Sequence, residues 1–162
     1  RGEAMILGSL ELKGLTGHEA GRMLLKDLWQ THIGGTMPEI AVTERGKPYF
    51  IGGQAHFSIS HTQKHVFCAL FDRPVGLDAE ETDRKIHFRL ADKILSATEK
   101  VRFDAAADQH AALLKLWVLK EAAGKLTGAG INGYPDKTEF SLDDPRVTES
   151  HGCYVAVVES DK

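Results

Sequence analysis

Residues 116–130 read Leu-Trp-Val-Leu-Lys-Glu-Ala-Ala-Gly-Lys-Leu-Thr-Gly-Ala-Gly, and no other stretch restricts the fold so strongly. The apolar spacing, continued back to Gln109, predicts a helix over 109–126 that Gly128, Gly130 and Gly133 bring to an end. Trp117, Glu121 and Lys125 recur in it at four-residue intervals and so share one slowly drifting face. That face offers an aromatic anchor, an acid and a base. A Glu followed four residues later by a Lys is also a common surface pair, steadying a helix by only a few tenths of a kcal/mol. The helix therefore gains a function only from what the rest of the chain sets beside it.

The rest reads as short strands and helices. Residues 5–12 alternate loosely and predict a strand. Thr16 and Glu19 form a capping-box pattern that opens a helix over 17–31, with Ala20, Met23, Leu24 and Leu28 inward. Gly34, Gly35 and Pro38 break it, and residues 40–43 predict a short strand that leads into a turn around Gly46, Lys47 and Pro48. Residues 55–61 alternate, with Phe57 and Ile59 on one face and His56, Ser58 and Ser60 on the other; with the apolar run 66–71 they predict a hairpin. Asp72, Arg73 and Pro74 mark a seam between two halves, 1–73 and 74–162. Past the seam come a strand over 75–80 and a helix over 84–95 with Ile86, Leu90 and Ile94 inward. Ser96 and Glu99 form a second capping box ahead of a short helix. The long helix follows, then strands over 139–142 and 153–159.

Three further groups of residues carry chemistry. On the strand 75–80, Val75, Leu77 and Ala79 face the core, so Asp78 and Glu80 point together to the other side, about 6.5 Å apart at their Cα atoms. Two carboxylates so placed repel unless a cation lies between them. With Glu121 from the long helix they would make an oxygen site for Mg2+ bridging a pyrophosphate, although a lone Asp-x-Glu is more often a solvated strand end. Lys47 in its turn and Ser60-His61 at a strand end are donors suited to a phosphate, with Lys120 and Lys125 adding charge near the acids. Lys85, Arg89 and Lys93, with Arg84, form a basic stripe on the helix over 84–95. Such a stripe is commonly just a solvated face, and otherwise a docking surface for an acidic partner.

Taken together, Gly46-Lys47-Pro48, Phe57-Ser58-Ile59-Ser60-His61-Thr62, Val75-Gly76-Leu77-Asp78-Ala79-Glu80, Leu95-Ser96-Ala97-Thr98-Glu99 and the Trp117–Lys125 segment with its Gly-x-Gly resemble the surfactin-synthetase-activating type of 4'-phosphopantetheinyl transferase. All five stand in that family's order, across about residues 46–130. The resemblance implies an α+β fold of two pseudo-symmetric halves, each a small antiparallel sheet packed with helices, with the active site in the cleft between them. It implies transfer of the phosphopantetheine arm from coenzyme A to a serine of an apo acyl or peptidyl carrier protein, dependent on Mg2+ (Mn2+ also suits oxygen ligands). Asp78, Glu80 and Glu121 would hold the metal. Gly46, Lys47 and Pro48 would line the adenine and 3'-phosphate end of coenzyme A, and Ser60 and His61 would also grip that phosphate. Lys125 would lie along the pyrophosphate with Lys120 nearby. On chemical grounds Glu121, or a metal-bound water that it orients, is the expected base, and Lys125 the group to protonate the leaving phosphate. The half 1–73 would serve the coenzyme and the half 74–162 the metal and the chemistry. The N-terminal region offers only Lys13, His18 and Arg22 as further basic groups toward the coenzyme.

Composition narrows the alternatives. A net charge of -3 gives no global positive field for nucleic acid. Cys68 and Cys153 lie inside apolar strand patterns, which fits reduced thiols rather than a disulfide framework or a zinc site. With no signal-peptide pattern and no apolar run long enough for a membrane span, the expectation is a cytoplasmic monomer. Two rival functions share these features: a catalytically silent coenzyme A or carrier-protein binding module, and a Mg2+-dependent phosphohydrolase built on the same acids.

Overall fold

The structure, a computed structural model, describes residues 4–128 and 139–161; Gly130 and Gly133 lie outside the described residues. Strand β1 (Ile6–Glu11) leads into helix α1 (Gly17–His32), then β2 (Ile40–Val42), β3 (Pro48–Phe50), β4 (His56–His61) and β5 (His65–Phe71). Next come β6 (Val75–Glu81), a 3-10 turn (Phe88–Leu90), α2 (Ala91–Ile94), α3 (Ala97–Ala105) and α4 (Gln109–Thr127), and finally β7 (Val147–Ser150) and β8 (Cys153–Glu159). The fold is α+β, and every strand pairing is antiparallel. One sheet has the order β1-β5-β4 and another β6-β8-β7, with a separate β2-β3 ribbon. Each three-stranded sheet thus starts with an edge strand, crosses through helical structure, and returns as a hairpin whose last strand takes the centre. Residues 72–74 lie between β5 of one sheet and β6 of the other.

Alternation along the central strands explains the packing. Val66, Cys68 and Leu70 of β5 join α1 in one core, while Phe67, Ala69 and Phe71 turn to the opposite face. There they meet Val75, Leu77 and Ala79 of β6 and Cys153 and Val155 of β8. Tyr154, Ala156 and Val158 of β8 pack on α4. Strand β5 is therefore covered on both faces, which is why its sequence is continuously apolar instead of alternating. Both cysteines are buried and free, and burial pushes the Cys68 thiol up to about 12, so it behaves as a small apolar side chain.

Both capping boxes form as their sequence patterns require: Thr16 with Glu19, and Ser96 with Glu99. Three expectations fail for identifiable reasons. Met23 is 54% exposed, because the buried stripe of α1 runs through Ala20, Gly21, Leu24, Leu25, Leu28 and Trp29 and leaves Met23 beyond its edge. No helix spans 84–95; the chain forms only the 3-10 turn and the four-residue α2. The start of that segment is instead held by local partners, with the Arg84 N–H donating to Glu81 O at 3.0 Å and His110 Nε2 lying 2.6 Å from Arg84 O. Residues 139–142 form no strand, since the Phe140 N–H donates to the Glu99 carboxylate at 2.7 Å instead of to a ladder. The hairpin partner of β8 is β7, joined through His151 (φ 53) and Gly152 (φ 73), a two-residue turn whose left-handed geometry matches strand twist.

Glu99 is also a buried electrostatic node. One oxygen accepts from the Ser96 N–H at 2.9 Å and from Lys120 Nζ at 2.8 Å, the other from Phe140. Glu99 is 0% and Lys120 1% exposed, so removing either partner breaks a buried ion pair. Glu99→Gln or Lys120→Met is expected to lower stability by about 3 kcal/mol. The double replacement by Met should recover much of the loss, as read from urea unfolding.

Candidate active site

Edge strands β4 and β6 of the two three-stranded sheets run side by side without sharing a ladder. Serine side chains make the join. Ser58 Oγ accepts from the Leu77 N–H at 2.9 Å and Ser60 Oγ from the Ala79 N–H at 3.2 Å. Ser60 also donates to Asp78 Oδ1 at 3.3 Å, so its hydroxyl is turned into the seam and onto an acid rather than out toward a ligand. From sequence, Ser60 and His61 at the strand end suggest an anion site; tying β4 to β6 through Ser58 and Ser60 is a role that alternation does not disclose.

Helix α4 lies across β6, and Gly76 makes the close approach possible. A Cβ at Gly76 would fall 2.0 Å from Ala122 O. The approach brings Trp117, Glu121 and Lys125 over Asp78 and Glu80. Lys125 Nζ lies 3.3 Å from Asp78 Oδ1, and Trp117 Nε1 donates to Glu80 Oε2 at 3.1 Å. Arg84 Nη1 reaches the same Glu80 oxygen at 2.7 Å, and its guanidinium lies over the Trp117 ring, 5.7 Å from the centroid. Arg84 is thus drawn to Glu80. Without a helix over 84–95, Arg84, Lys85, Arg89 and Lys93 do not form a helical stripe.

Asp78 is buried, and its Oδ2 has no hydrogen-bond partner among the described residues. Burial pushes its carboxyl up to about 7; Lys125 opposes the rise, while Glu80 and Glu121 add to it. Glu121 is raised as well, first by burial and then by Glu80, against the pull of Lys125 and Arg84. The folded, metal-free chain therefore keeps the Asp78 proton up to about 7, whereas the unfolded chain releases it near 3.8. The folded state binds more protons across that window, so this group's contribution to stability falls as pH rises through it. Asp78→Asn removes the effect. In EDTA, the variant should gain stability relative to wild type between about pH 4 and pH 7, measurable as a shift in urea midpoints.

Two cavities flank the acids. One, of about 260 Å³, is lined by Gly46, Lys47, Pro48, Phe57, Glu121 and Lys125 among others. The second, of about 530 Å³, is lined by His61, Thr62, Gln63, Glu80, Glu81, Asp83 and Arg84. Lys47 crosses from the first half to donate to Leu126 O at the end of α4 (2.9 Å), and burial lowers its pKa. The His61 ring lies against Gly17 at the start of α1, so close that a Cβ at Gly17 would come 2.3 Å from it. Of the residues singled out from sequence, Asp78, Glu80, Glu121, Lys125, Gly46, Lys47, Pro48 and His61 gather at this cleft. Lys120 does not: it follows Trp117 by three residues but turns inward to Glu99. Arg84 was overlooked as a neighbour of Glu80, although their four-residue spacing was there to be read.

The model of the 4'-phosphopantetheinyl transferase superfamily matches residues 74–154, half of the chain. The chain belongs to that superfamily. Among curated phosphopantetheinyl transferases it is 33% identical to Sfp of Bacillus subtilis (strain 168) over 127 residues, 73% of this chain and 56% of the relative. It is 33% identical to gsp of Aneurinibacillus migulanus over 90 residues, 54% of this chain and 37% of the relative. It is 40% identical to psf-1 of Bacillus pumilus over 79 residues, 48% of this chain and 34% of the relative. The chain therefore spans roughly a third to just over half the length of these transferases. Among the described residues no helix is long and apolar enough to cross a membrane.

Proposed function

We propose that this chain transfers the 4'-phosphopantetheine arm of coenzyme A to a serine of an apo carrier protein, releasing 3',5'-ADP. The observation that carries the reading is Asp78. It is a buried carboxylate with one oxygen engaged by Lys125 and Ser60 and the other without a partner among the described residues, beside Glu80 and Glu121. An orphaned buried oxygen within an all-carboxylate group is the donor set a hard divalent cation takes. As they stand, no three His, Cys, Asp or Glu side chains among the described residues close around one ion. Asp78, Glu80 and Glu121 are nonetheless the residues proposed to hold Mg2+, or Mn2+, which the same ligands suit. Bound there, the cation would neutralise charge that builds on the pyrophosphate during phosphoryl transfer.

The chain's own residues supply the rest. Glu121 faces the first cavity, and burial makes its carboxylate a stronger base than a solvated one, suited to accept the proton of the carrier serine. Lys125 lies between Asp78 and that cavity, placed to give a proton to the departing phosphate. Gly46, Lys47 and Pro48 would line the adenine end. His61, at the N-terminus of α1 where the helix dipole favours anions, would meet the 3'-phosphate. Ser60 would contribute by orienting Asp78. On this reading the half 1–73 serves the coenzyme and 74–162 the metal and the chemistry. The cleft lies within a single chain, which is the basis for proposing a monomer. Lys85, Arg89 and Lys93 are the proposed contacts for an acidic carrier protein.

The test is the intact mass of an apo acyl carrier protein incubated with this chain, coenzyme A and Mg2+. A gain of one phosphopantetheine, abolished by EDTA and by Asp78→Ala, is the expected result. No gain with several carrier proteins while coenzyme A still binds would leave a silent binding module. Consumption of coenzyme A without protein modification would mean a hydrolase.

A further inference from the structure

Two acids of the cleft, Asp78 and Glu80, are turned to internal partners, and for Glu80 that partner is a two-part clasp. Trp117 Nε1 and Arg84 Nη1 converge on the same oxygen, Oε2, at 3.1 and 2.7 Å, while the guanidinium covers the indole ring. The two arms come from different elements. Arg84 follows β6 just beyond its end, and Trp117 stands on α4 one turn before Glu121. Asp78 is also engaged at one oxygen, Oδ1, by Lys125 and Ser60, and its buried Oδ2 has no partner among the described residues. The charge of Glu80 is already answered at Oε2, by a partly exposed arginine, before any cation arrives.

We infer that Arg84 and Trp117 hold Glu80 through Oε2, and that a divalent cation entering the cleft competes with Arg84 for this carboxylate. Arg84 then sets the cation affinity of the site, weakening it through direct competition for one carboxylate and through its own positive charge. Trp117 reports the exchange, because its indole loses the hydrogen bond to Glu80 and the stacked guanidinium together. The inference rests on the proposed metal role of Asp78, Glu80 and Glu121. Arg84 is 43% and Glu80 21% exposed at the side chain, so the pair is partly solvated and its hold is weak. Removal of Arg84 should accordingly tighten cation binding by about 3- to 10-fold, not by orders of magnitude.

The experiment titrates the chain with Mn2+ alone, counting free ion by electron paramagnetic resonance, for wild type, Arg84→Gln and Asp78→Asn. In parallel, Mg2+ is added while tryptophan emission is followed in wild type and in Trp117→Phe. The chain has two tryptophans, and Trp29 lies in the first core with its indole N–H on Gly34 O at 3.0 Å, away from the acids. Support would be tighter Mn2+ binding by Arg84→Gln, with a saturable emission change in wild type that Trp117→Phe lacks. Equal or weaker binding by Arg84→Gln overturns the clasp, and so does an emission change that survives Trp117→Phe. Asp78→Asn separates the two levels. If it loses Mn2+ while Arg84→Gln matches wild type, only the clasp fails. If it binds Mn2+ as wild type does, or if wild type takes up no Mn2+ at all, the metal reading fails and the clasp with it.

Discussion

Glu121→Gln is expected to slow carrier-protein modification by about 10²- to 10⁴-fold, the range a positioned general base supplies, while leaving the fold intact. Glutamine preserves the shape of the side chain and removes a charge that burial already disfavours, so stability should hold or rise slightly. What it removes is the proposed proton acceptor facing the first cavity, which is also one of the three acids proposed to hold the metal. Single-turnover modification followed by intact mass, at saturating coenzyme A, reads the chemical step. A rate within a few-fold of wild type would take Glu121 out of the base role. Lys125→Ala is the companion measurement. It deletes the proposed acid and also the cation nearest Asp78, so the Asp78 carboxyl should rise further above about 7. A rate of Lys125→Ala within a few-fold of wild type would remove Lys125 from the acid role.

The parts of this site that could be read from sequence are those where local periodicity decides where a side chain goes. Asp78 and Glu80 share a face because a strand repeats every two residues, and Trp117, Glu121 and Lys125 share one because a helix nearly repeats every four. The capping boxes at Thr16 and Ser96 are local in the same sense, and both formed. Where a residue's partner lies far along the chain, the same rules gave the wrong answer. Lys120 adjoins Glu121 in sequence, yet its place is set by Glu99, which local pattern presents only as half of a capping box. The 139–142 segment has a buried aromatic at Phe140 and reads as a strand, but its backbone donor is satisfied by that same Glu99. The basic stripe on residues 84–95 fails differently: it presumed a helix, and Arg84 instead answers Glu80, a partner only four residues back. Each error comes from one buried or half-buried charge choosing its partner, an energy that hydrophobic periodicity does not carry.

Gly76→Ala is expected to be more damaging than alanine at any other described glycine. Gly76 has no need of a left-handed backbone; its importance is distance. The added Cβ would lie 2.0 Å from Ala122 O, 2.6 Å from Leu126 N and 3.0 Å from Ala122 C, all backbone atoms of α4. No rotamer change relieves the overlap, and truncating Ala122 to Gly leaves the offending carbonyl where it is. The helix must move off β6 as a body, opening the core that Leu119, Ala122 and Ala123 form with Tyr154, Ala156 and Val158. Overpacking against yielding side chains costs about 1–3 kcal/mol, and against rigid backbone more. About 4 kcal/mol or greater is the expectation here, out of a total near 5–15 kcal/mol. That corresponds to a fall in Tm of roughly 8–16 °C for a chain of this size, or to failure to fold. Gly152→Ala is the control: its φ of 73 makes alanine strained, but nothing lies within 4 Å of the added methyl, so the loss should stay near 1 kcal/mol. If Gly76→Ala folds, the displaced helix carries Glu121 and Lys125 away from Asp78, and transfer should fail even in protein that remains soluble and cooperative. A variant with wild-type Tm would mean that α4 does not rest on β6 at this distance, and the placement of Glu121 and Lys125 over the acids would fall with it.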